Sequence, residues 1–349
     1  MQIVVLGPHR SGTSLVTRLI NMMGAYFDAG NASIGFNDEN PKGFWERSDV
    51  IKCDEDILKH YNSSWDRLDN WKFAAPKKTP KDLEEVATKM KNIILEMDGH
   101  RPWVMKDPRM CLTFPFWKTL LEVPVLVVVY RDPVEVAVSL RQRNGFALSQ
   151  GLAMWEYYAV GIANAIGDLP VAFVSHSDML TNPIGMMQKL FDRLKELGVR
   201  EISLPSEREI TAFIEPSLYR SKADELPHSE VLTDFQKELV AYLKGEKKLD
   251  GKTLKPSQFA ADTMKNADSA GKLRAQLSET NQKFAAVDQQ RNELQSELEV
   301  IKPTYEDKLV RMQHEIERLQ YQLGTTQESV SWKVGNGIVR FAKKLTLQS

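Results

Sequence analysis

The chain has 349 residues, and its 46 Lys and Arg against 47 Asp and Glu leave a formal net charge of −1. No global basic field draws it to nucleic acid, so phosphate chemistry has to come from local cationic sites, and the length fits one α/β domain of about 250 residues with an appendage. Its two cysteines, Cys53 and Cys111, exclude a disulfide framework, and neither has company at metal-ligand spacing.

Residues 2–20 read QIVVLGPHRSGTSLVTRLI. The β-branched, aliphatic run Ile3 to Leu6 stops at Gly7, and an amphipathic segment begins after Gly12, which predicts strand, tight loop and helix. Such a loop aims backbone N–H groups and the positive end of a helix dipole at one spot. The small residues Ser11, Gly12, Thr13 and Ser14 let an anion approach it. Gly7 and Gly12 have the spacing of the nucleotide P-loop, but Thr13 holds that motif's lysine position and the strong cation, Arg10, lies inside the loop. A P-loop kinase needs the lysine on its phosphates and a hydroxyl on Mg²⁺, so ATP-dependent phosphoryl transfer is disfavoured. A plain Gly-Ser turn is the simplest alternative.

Residues 25–46 lack periodicity and read as a long loop, closing with Phe44, Trp45 and Glu46 before a helix from Ser48 to about Tyr61, for which Ser48 is the expected N-cap. Residues 62–80 form a second irregular stretch carrying Trp65, Trp71, Phe73, Lys77 and Lys78; its aromatics suit either a sugar platform or a satellite core. After a helix over 81–98, the segment WVMKDPR ends a short strand in the charged turn Lys106, Asp107, Arg109. Strand ends of this kind are where ligands bind in open α/β sheets. The run Val125–Tyr130 has the continuous apolar character of a strand covered on both faces; it ends at Arg131, and Pro133 starts a helix carrying Ser139. Arg131 and Ser139 are positioned to reach one ligand, or else Arg131 pairs with Asp132 and Ser139 is a surface hydroxyl. Helices over 147–166, 183–197, 207–214 and 233–245 and a strand over 171–175 complete the domain, with 213–220 as a lid candidate. The order predicts a doubly wound parallel sheet over residues 1–245.

Residues 246–268 are polar and lysine-rich and read as a linker. Over 269–325 the pattern is helical, with Leu309, Met312, Ile316, Leu319 and Leu323 at four-three spacing, which predicts a coiled coil and homo-oligomers; Pro303 predicts a kink or two helices. The tail, 326–349, is basic and amphipathic, suited either to peripheral contact with an anionic membrane or to a partner. The chain opens directly on its first strand, and its longest apolar run is far below the about 20 residues that span a bilayer. The expected location is cytoplasmic, or peripheral at the inner face of the membrane.

Three separated segments together resemble the sulfotransferases that use 3′-phosphoadenosine 5′-phosphosulfate (PAPS), especially bacterial members acting on carbohydrates. PHRSGTSL is similar to the family's 5′-phosphosulfate loop, YRDPVEVAVSL to its 3′-phosphate segment, and WVMKDPR to a lysine-bearing segment of Golgi-type and bacterial relatives. The resemblance covers about residues 1–225 and implies sulfonate transfer to a glycan or glycolipid hydroxyl without a catalytic metal. It places Arg10, Ser11, Gly12, Thr13 and Ser14 on the 5′-phosphosulfate and Arg131 and Ser139 on the 3′-phosphate, with Lys106 on the departing oxygen. No copy of the family's C-terminal glycine-rich loop is evident, and Arg220 is the substitute candidate. Glu46 is the candidate base and His9 the alternate; Phe44, Trp45, Asp107 and Arg109 are candidate acceptor residues. The competing reading is a non-catalytic nucleotide-binding coiled-coil scaffold.

Overall fold

A computed structural model describes residues 1–28, 35, 43–73, 80–214, 231–248 and 253–346. Four parallel strands, β1 (Gln2–Leu6), β2 (Trp103–Lys106), β3 (Pro124–Tyr130) and β4 (Val171–Ser175), form a sheet in the order β2-β1-β3-β4. Inner strand β1 sets Val4 level with Met105 on one side and Leu126 on the other. Parallel neighbours require long crossovers, so helices cover both faces and the strand interiors are apolar, with polar residues such as Gln2, Lys106 and Ser175 only at strand ends. The doubly wound α/β prediction therefore holds.

Period-two alternation sorts the strand side chains between two cores. Val4, Leu6, Met105, Leu126 and Val128 pack toward α2 (Ser48–His60), α3 (Glu84–Asp98), α4 (Met110–Trp117), α5 (Pro133–Asn144) and α6 (Leu148–Ile166). Ile3, Val5, Val104, Val127 and Val129 pack toward α1 (Thr13–Met22), α7 (His176–Thr181), α8 (Pro183–Glu196) and α9 (Glu207–Phe213). A further helix, α10 (Asp234–Leu243), adds Leu239 and Leu243 to the first core. One start differs from expectation: Arg47, not Ser48, is the N-cap of α2. Its guanidinium is drawn to Asp49 (2.8 Å) and Glu96 (2.6 Å), which sets the chain's entry one residue earlier.

The next helix, α11 (Gln258–Glu328), begins inside the stretch whose composition reads as a linker. Leu254 exchanges hydrogen bonds with the Asn164 side chain at 2.8 and 3.1 Å, the Ser257 N–H donates to Glu156 at 2.5 Å, and Ala260 and Met264 are fully buried in the first core. The polar composition hid two core positions at helical spacing. Compact units run from Met1 to Gly271 and from Lys272 to Ser349. The second unit holds the rest of α11, which continues through Pro303 rather than dividing there, and α12 (Val330–Thr346). Ser329 caps α12 by accepting from the Trp332 N–H at 3.2 Å. Pro303 cannot donate the backbone hydrogen bond that this position of a helix calls for, yet the helix spans it.

Helices α4 and α6 touch at a glycine: a Cβ on Gly161 would lie 2.2 Å from the Cys111 carbonyl oxygen. Backbone cannot yield as a side chain does. Gly161→Ala should therefore lower the unfolding free energy by about 2 kcal/mol despite alanine's better helix propensity, measured by urea denaturation.

Candidate active site

From β1 the chain moves to β2 on one side and then crosses to β3 on the other. The crevice outside the carboxyl ends of β1 and β3 is thus the topological switch point, where ligands bind in this architecture. Every strand end delivers a charged or titratable group to this edge of the sheet: the loop 7–12 after β1, Lys106 at the end of β2, Arg131 after β3 and His176 after β4.

Arg10 adopts a left-handed conformation, φ +68°. Its Nε donates to Ser139 Oγ on α5 at 3.0 Å, and its carbonyl accepts from the Arg131 guanidinium at 2.8 Å. Arg131 also donates to Glu135 at 2.9 Å, while Asp132 caps α5 by accepting from the Val134 N–H at 2.8 Å. The two segments singled out for anion binding are therefore stitched together across 129 residues of sequence. Gly12, the N-cap of α1, has φ +87°, and a Cβ there would lie 2.2 Å from His176 Cδ2. The first turn of α1 has no acidic residue and no side-chain cap. Its N–H groups and dipole are left for an anion, with Arg10 and Arg131 beside them. Ser11 is fully buried, and its hydroxyl holds the loop by donating to the Pro8 carbonyl at 2.6 Å. Thr13 is also buried.

Lys106 and Glu46 meet directly. The ammonium donates to the Glu46 carboxylate, to the Phe44 carbonyl at 2.6 Å and to Ser14 Oγ at 3.1 Å. All three of its N–H donors are engaged. Ser14 Oγ in turn donates to the Phe44 carbonyl at 2.8 Å. Segment 44–46 is thus clamped against the loop by a buried cation, Lys106 being 1% exposed and Glu46 8%. Trp45, an acceptor candidate in the sequence, points elsewhere. With φ +53° its ring packs 5.3 Å from Phe27, and the Arg18 guanidinium lies over it at 4.7 Å. A left-handed tryptophan costs about 1–3 kcal/mol; these contacts and the Lys106 clamp hold it there.

Asp107, also an acceptor candidate, is fully buried and accepts from the Arg109 N–H at 2.9 Å and from its guanidinium at 3.1 Å. Arg109 continues to Glu55 at 3.0 Å. Beneath them Asp54 accepts from Thr113 and Trp117, both at 2.7 Å, through one oxygen, and its other oxygen is buried without a partner. Burial, and then the charge of Asp107, pushes its carboxyl well above the usual range, against the Trp117 and Thr113 hydrogen bonds that lower it. His9 packs its ring 4.8 Å from Trp65 and 5.4 Å from Tyr158, with Nε2 buried and unpartnered. Burial first, then Arg109, Arg143, Lys106 and Arg10, depress its pKa well below normal. It is neutral at pH 7 and a poor proton acceptor.

Arg220, Lys77 and Lys78 lie outside the described residues, as does the lid candidate beyond Ile214. Sequence reading passed over Asp54 and His176. The first sits on the apolar stripe Val50, Asp54, Ile57 of α2, and the second follows β4 at the ligand-binding edge. Both signals, a polar residue at core spacing and a strand-end position, were present.

A sequence profile described as the sulfotransferase family matches residues 2–197, which include Arg10, Glu46, Lys106, Arg131 and Ser139. No curated protein is significantly similar to the chain. Among solved structures, the sulfotransferase domain of the Synechococcus PCC 7002 olefin synthase aligns at 13% identity over 77% of this chain and 94% of its own, with a TM-score of 0.36. Sulfotransferase STF9 from Mycobacterium avium aligns at 14% identity over 70% of this chain and 75% of its own, with a TM-score of 0.37. The sulfotransferase domain from the curacin biosynthetic pathway gives 13%, 76%, 96% and 0.35 for the same four quantities.

Two measurements probe this geometry. Removing the Lys106 ammonium leaves a buried carboxylate uncompensated, so Lys106→Met should cost about 3–5 kcal/mol in denaturant unfolding, and adding Glu46→Gln to it should recover most of that loss. Burial and then Arg131 push His176 down to about 3. Its folded pKa is depressed, so only the unfolded chain takes up this proton as pH falls below about 6.5, and stability present above that pH is lost toward pH 3. Between pH 7 and 5, wild type should lose about 2 kcal/mol relative to His176→Gln, read from paired urea titrations.

Proposed function

The chain belongs to the sulfotransferase family, and on that premise we propose that it transfers a sulfonate group from PAPS to a hydroxyl of a carbohydrate acceptor, in a glycan or glycolipid. The observation that carries this reading is the bridge from Ser139 through Arg10 to Arg131, beside an uncapped helix N-terminus. It provides two neighbouring anion sites, one made of backbone N–H groups and one of guanidinium and hydroxyl. That pairing suits a nucleotide with a 5′-phosphosulfate and a separate 3′-phosphate, and guanidinium geometry favours phosphate oxygens.

When bound, PAPS supplies an activated sulfonate whose sulfur–oxygen bond to the 5′-phosphate breaks as an acceptor oxygen attacks. The N–H groups of residues 11–14 and Arg10 hold the 5′ end, and Arg131 and Ser139 hold the 3′-phosphate. Lys106 stabilises charge on the departing oxygen, and Glu46 takes the acceptor's proton; as with phosphoryl transfer, positioning and electrostatics carry most of the catalysis. With its three donors already engaged, Lys106 can reach the donor only by giving up a present partner. Exchange of Glu46 for the donor's anionic oxygens frees the base as the donor arrives, which ties proton abstraction to a loaded site. Half-buried Trp65, which stands beside His9 and 5.9 Å from Phe146, offers the ring face that a sugar stacks on. Along α11 the seam Leu309, Met312, Ile316, Leu319 and Leu323 is 51–63% exposed, and a coiled coil with a second copy would bury it. The proposed setting of the reaction is the cytoplasm or the inner face of the membrane.

The test is calorimetric titration with 3′-phosphoadenosine 5′-phosphate and with ADP in the absence of Mg²⁺. The 3′-phosphorylated nucleotide should bind tightly and ADP weakly, and Arg131→Ala should weaken the former by about 2 kcal/mol or more, the scale of a lost charged hydrogen bond. Equal or absent binding of the two nucleotides sinks the reading.

A further inference from the structure

Helix α12 carries Lys333, Arg340, Lys343 and Lys344 and no carboxylate. Its hydrophobic side chains Trp332, Val334, Ile338, Val339 and Phe341 are 44–67% exposed. At about 100° per residue the four cations fall within one sector about 100° wide, and these five hydrophobic residues occupy an arc of about 180° on the other side.

The width of that arc decides what covers it. A coiled-coil partner buries a narrow seam and would leave Trp332 and Val339 in water, on the flank opposite Phe341. The preceding helix shows the contrast, since its narrow seam is flanked by charges of both signs, among them Arg311, Glu315, Glu317 and Arg318. A lipid surface, by comparison, takes up half a helix circumference, seats a tryptophan at headgroup level, and meets a single-sign basic face with anionic headgroups. Gly335, Asn336 and Gly337 lower the helix propensity of this segment in water, so burial of the apolar arc is what would hold it helical. No helix among the described residues is long and apolar enough to cross a membrane.

We propose that α12 is an interfacial helix that docks the chain on an anionic lipid surface, lying in the plane of the headgroups. The contact is peripheral, reversible and salt-sensitive. It does not depend on the transferase reading, because none of its residues belongs to the α/β unit.

The experiment is co-sedimentation of the full-length chain with vesicles of phosphatidylcholine alone or mixed with phosphatidylglycerol, at low and high salt. Two variants are compared with wild type, Lys343→Glu/Lys344→Glu and Ile338→Asp/Phe341→Asp. The wild type should pellet with the anionic vesicles at low salt and be released at high salt, and each variant should bind at least about tenfold more weakly. The thermal midpoint of the α/β unit serves as the folding control and should not move, since all four positions are in the other unit. Failure of the wild type to bind, or equal binding to both vesicle types by all three proteins, overturns the proposal. So does a variant that binds vesicles normally but shows a lower assembly mass by light scattering, which would give the arc to a second copy.

Discussion

The position of β1 as an inner strand of a parallel sheet, between β2 and β3, is the constraint on which the site depends. Because β2 and β3 both run parallel to β1, all their carboxyl ends open on one edge, and residues far apart in sequence arrive there with fixed spacing. Val5 is level with both Lys106 and Val127, so the end of β2 and the body of β3 flank the strand that leads into the loop. Burial on both faces permits almost no slippage, since a one-residue shift would exchange the two cores. The anion-binding edge is thus a consequence of hydrophobic patterning several residues away from it.

Around that edge the chain buries far more charge than a core tolerates unpaired, and each charge is settled differently. Lys106 and Glu46 pair with each other, Asp107 is held by Arg109, and burial pushes the Asp54 carboxyl toward its neutral form. Isolated burial of any of them would cost several kcal/mol. Replacing a buried ion pair by apolar groups is often neutral or stabilising, so stability alone does not account for the Lys106–Glu46 pair beside the loop. The loop after β1 and the segment clamped against it both carry strained backbone, at Arg10 and at Trp45, each with positive φ. Strain of this kind persists where surrounding contacts over-determine it, and here those contacts are the Ser139 bond, the Arg131 bond, the Arg18 stacking and the Lys106 clamp.

Much of the fold was legible because its signals are local. Continuous apolar runs bounded by Gly7 and Pro133 marked β1 and β3, and helical spacing marked α3 and α8. Arg10, Lys106 and Arg131 were legible as strand-end or loop cations and Ser139 as a hydroxyl on the helix that follows β3, and the structure brings them to one edge. What could not be read were pairings set by tertiary approach: that Lys106 would meet Glu46 across 60 residues, or that the Arg18 guanidinium would lie over Trp45. Nor does sequence tell a buried carboxylate from a solvated one, so Asp107 looked available for substrate although its oxygens are used by Arg109. Asp54 was readable in principle, standing in the apolar stripe of α2, but its raised pKa comes from burial and the charge of Asp107, against the Trp117 and Thr113 hydrogen bonds that lower it, and all of these are set by other elements.

The stretch after α10 shows why composition misleads at a boundary. Polar residues dominate 246–268, yet Glu156, fully buried on α6, accepts from Gln236 at 2.9 Å and from the Ser257 N–H at 2.5 Å. A buried carboxylate with these partners ties α6, α10 and the start of α11 into one network, and Ala260 and Met264 close the core beside it. The long helix therefore starts as part of the α/β unit and only later becomes the second unit. Nucleation, the costly step for any isolated helix, is supplied by tertiary contacts at its first turns, and propagation beyond them then adds one hydrogen bond for each residue fixed. A helix begun in this way needs little intrinsic stability of its own to persist along its exposed length.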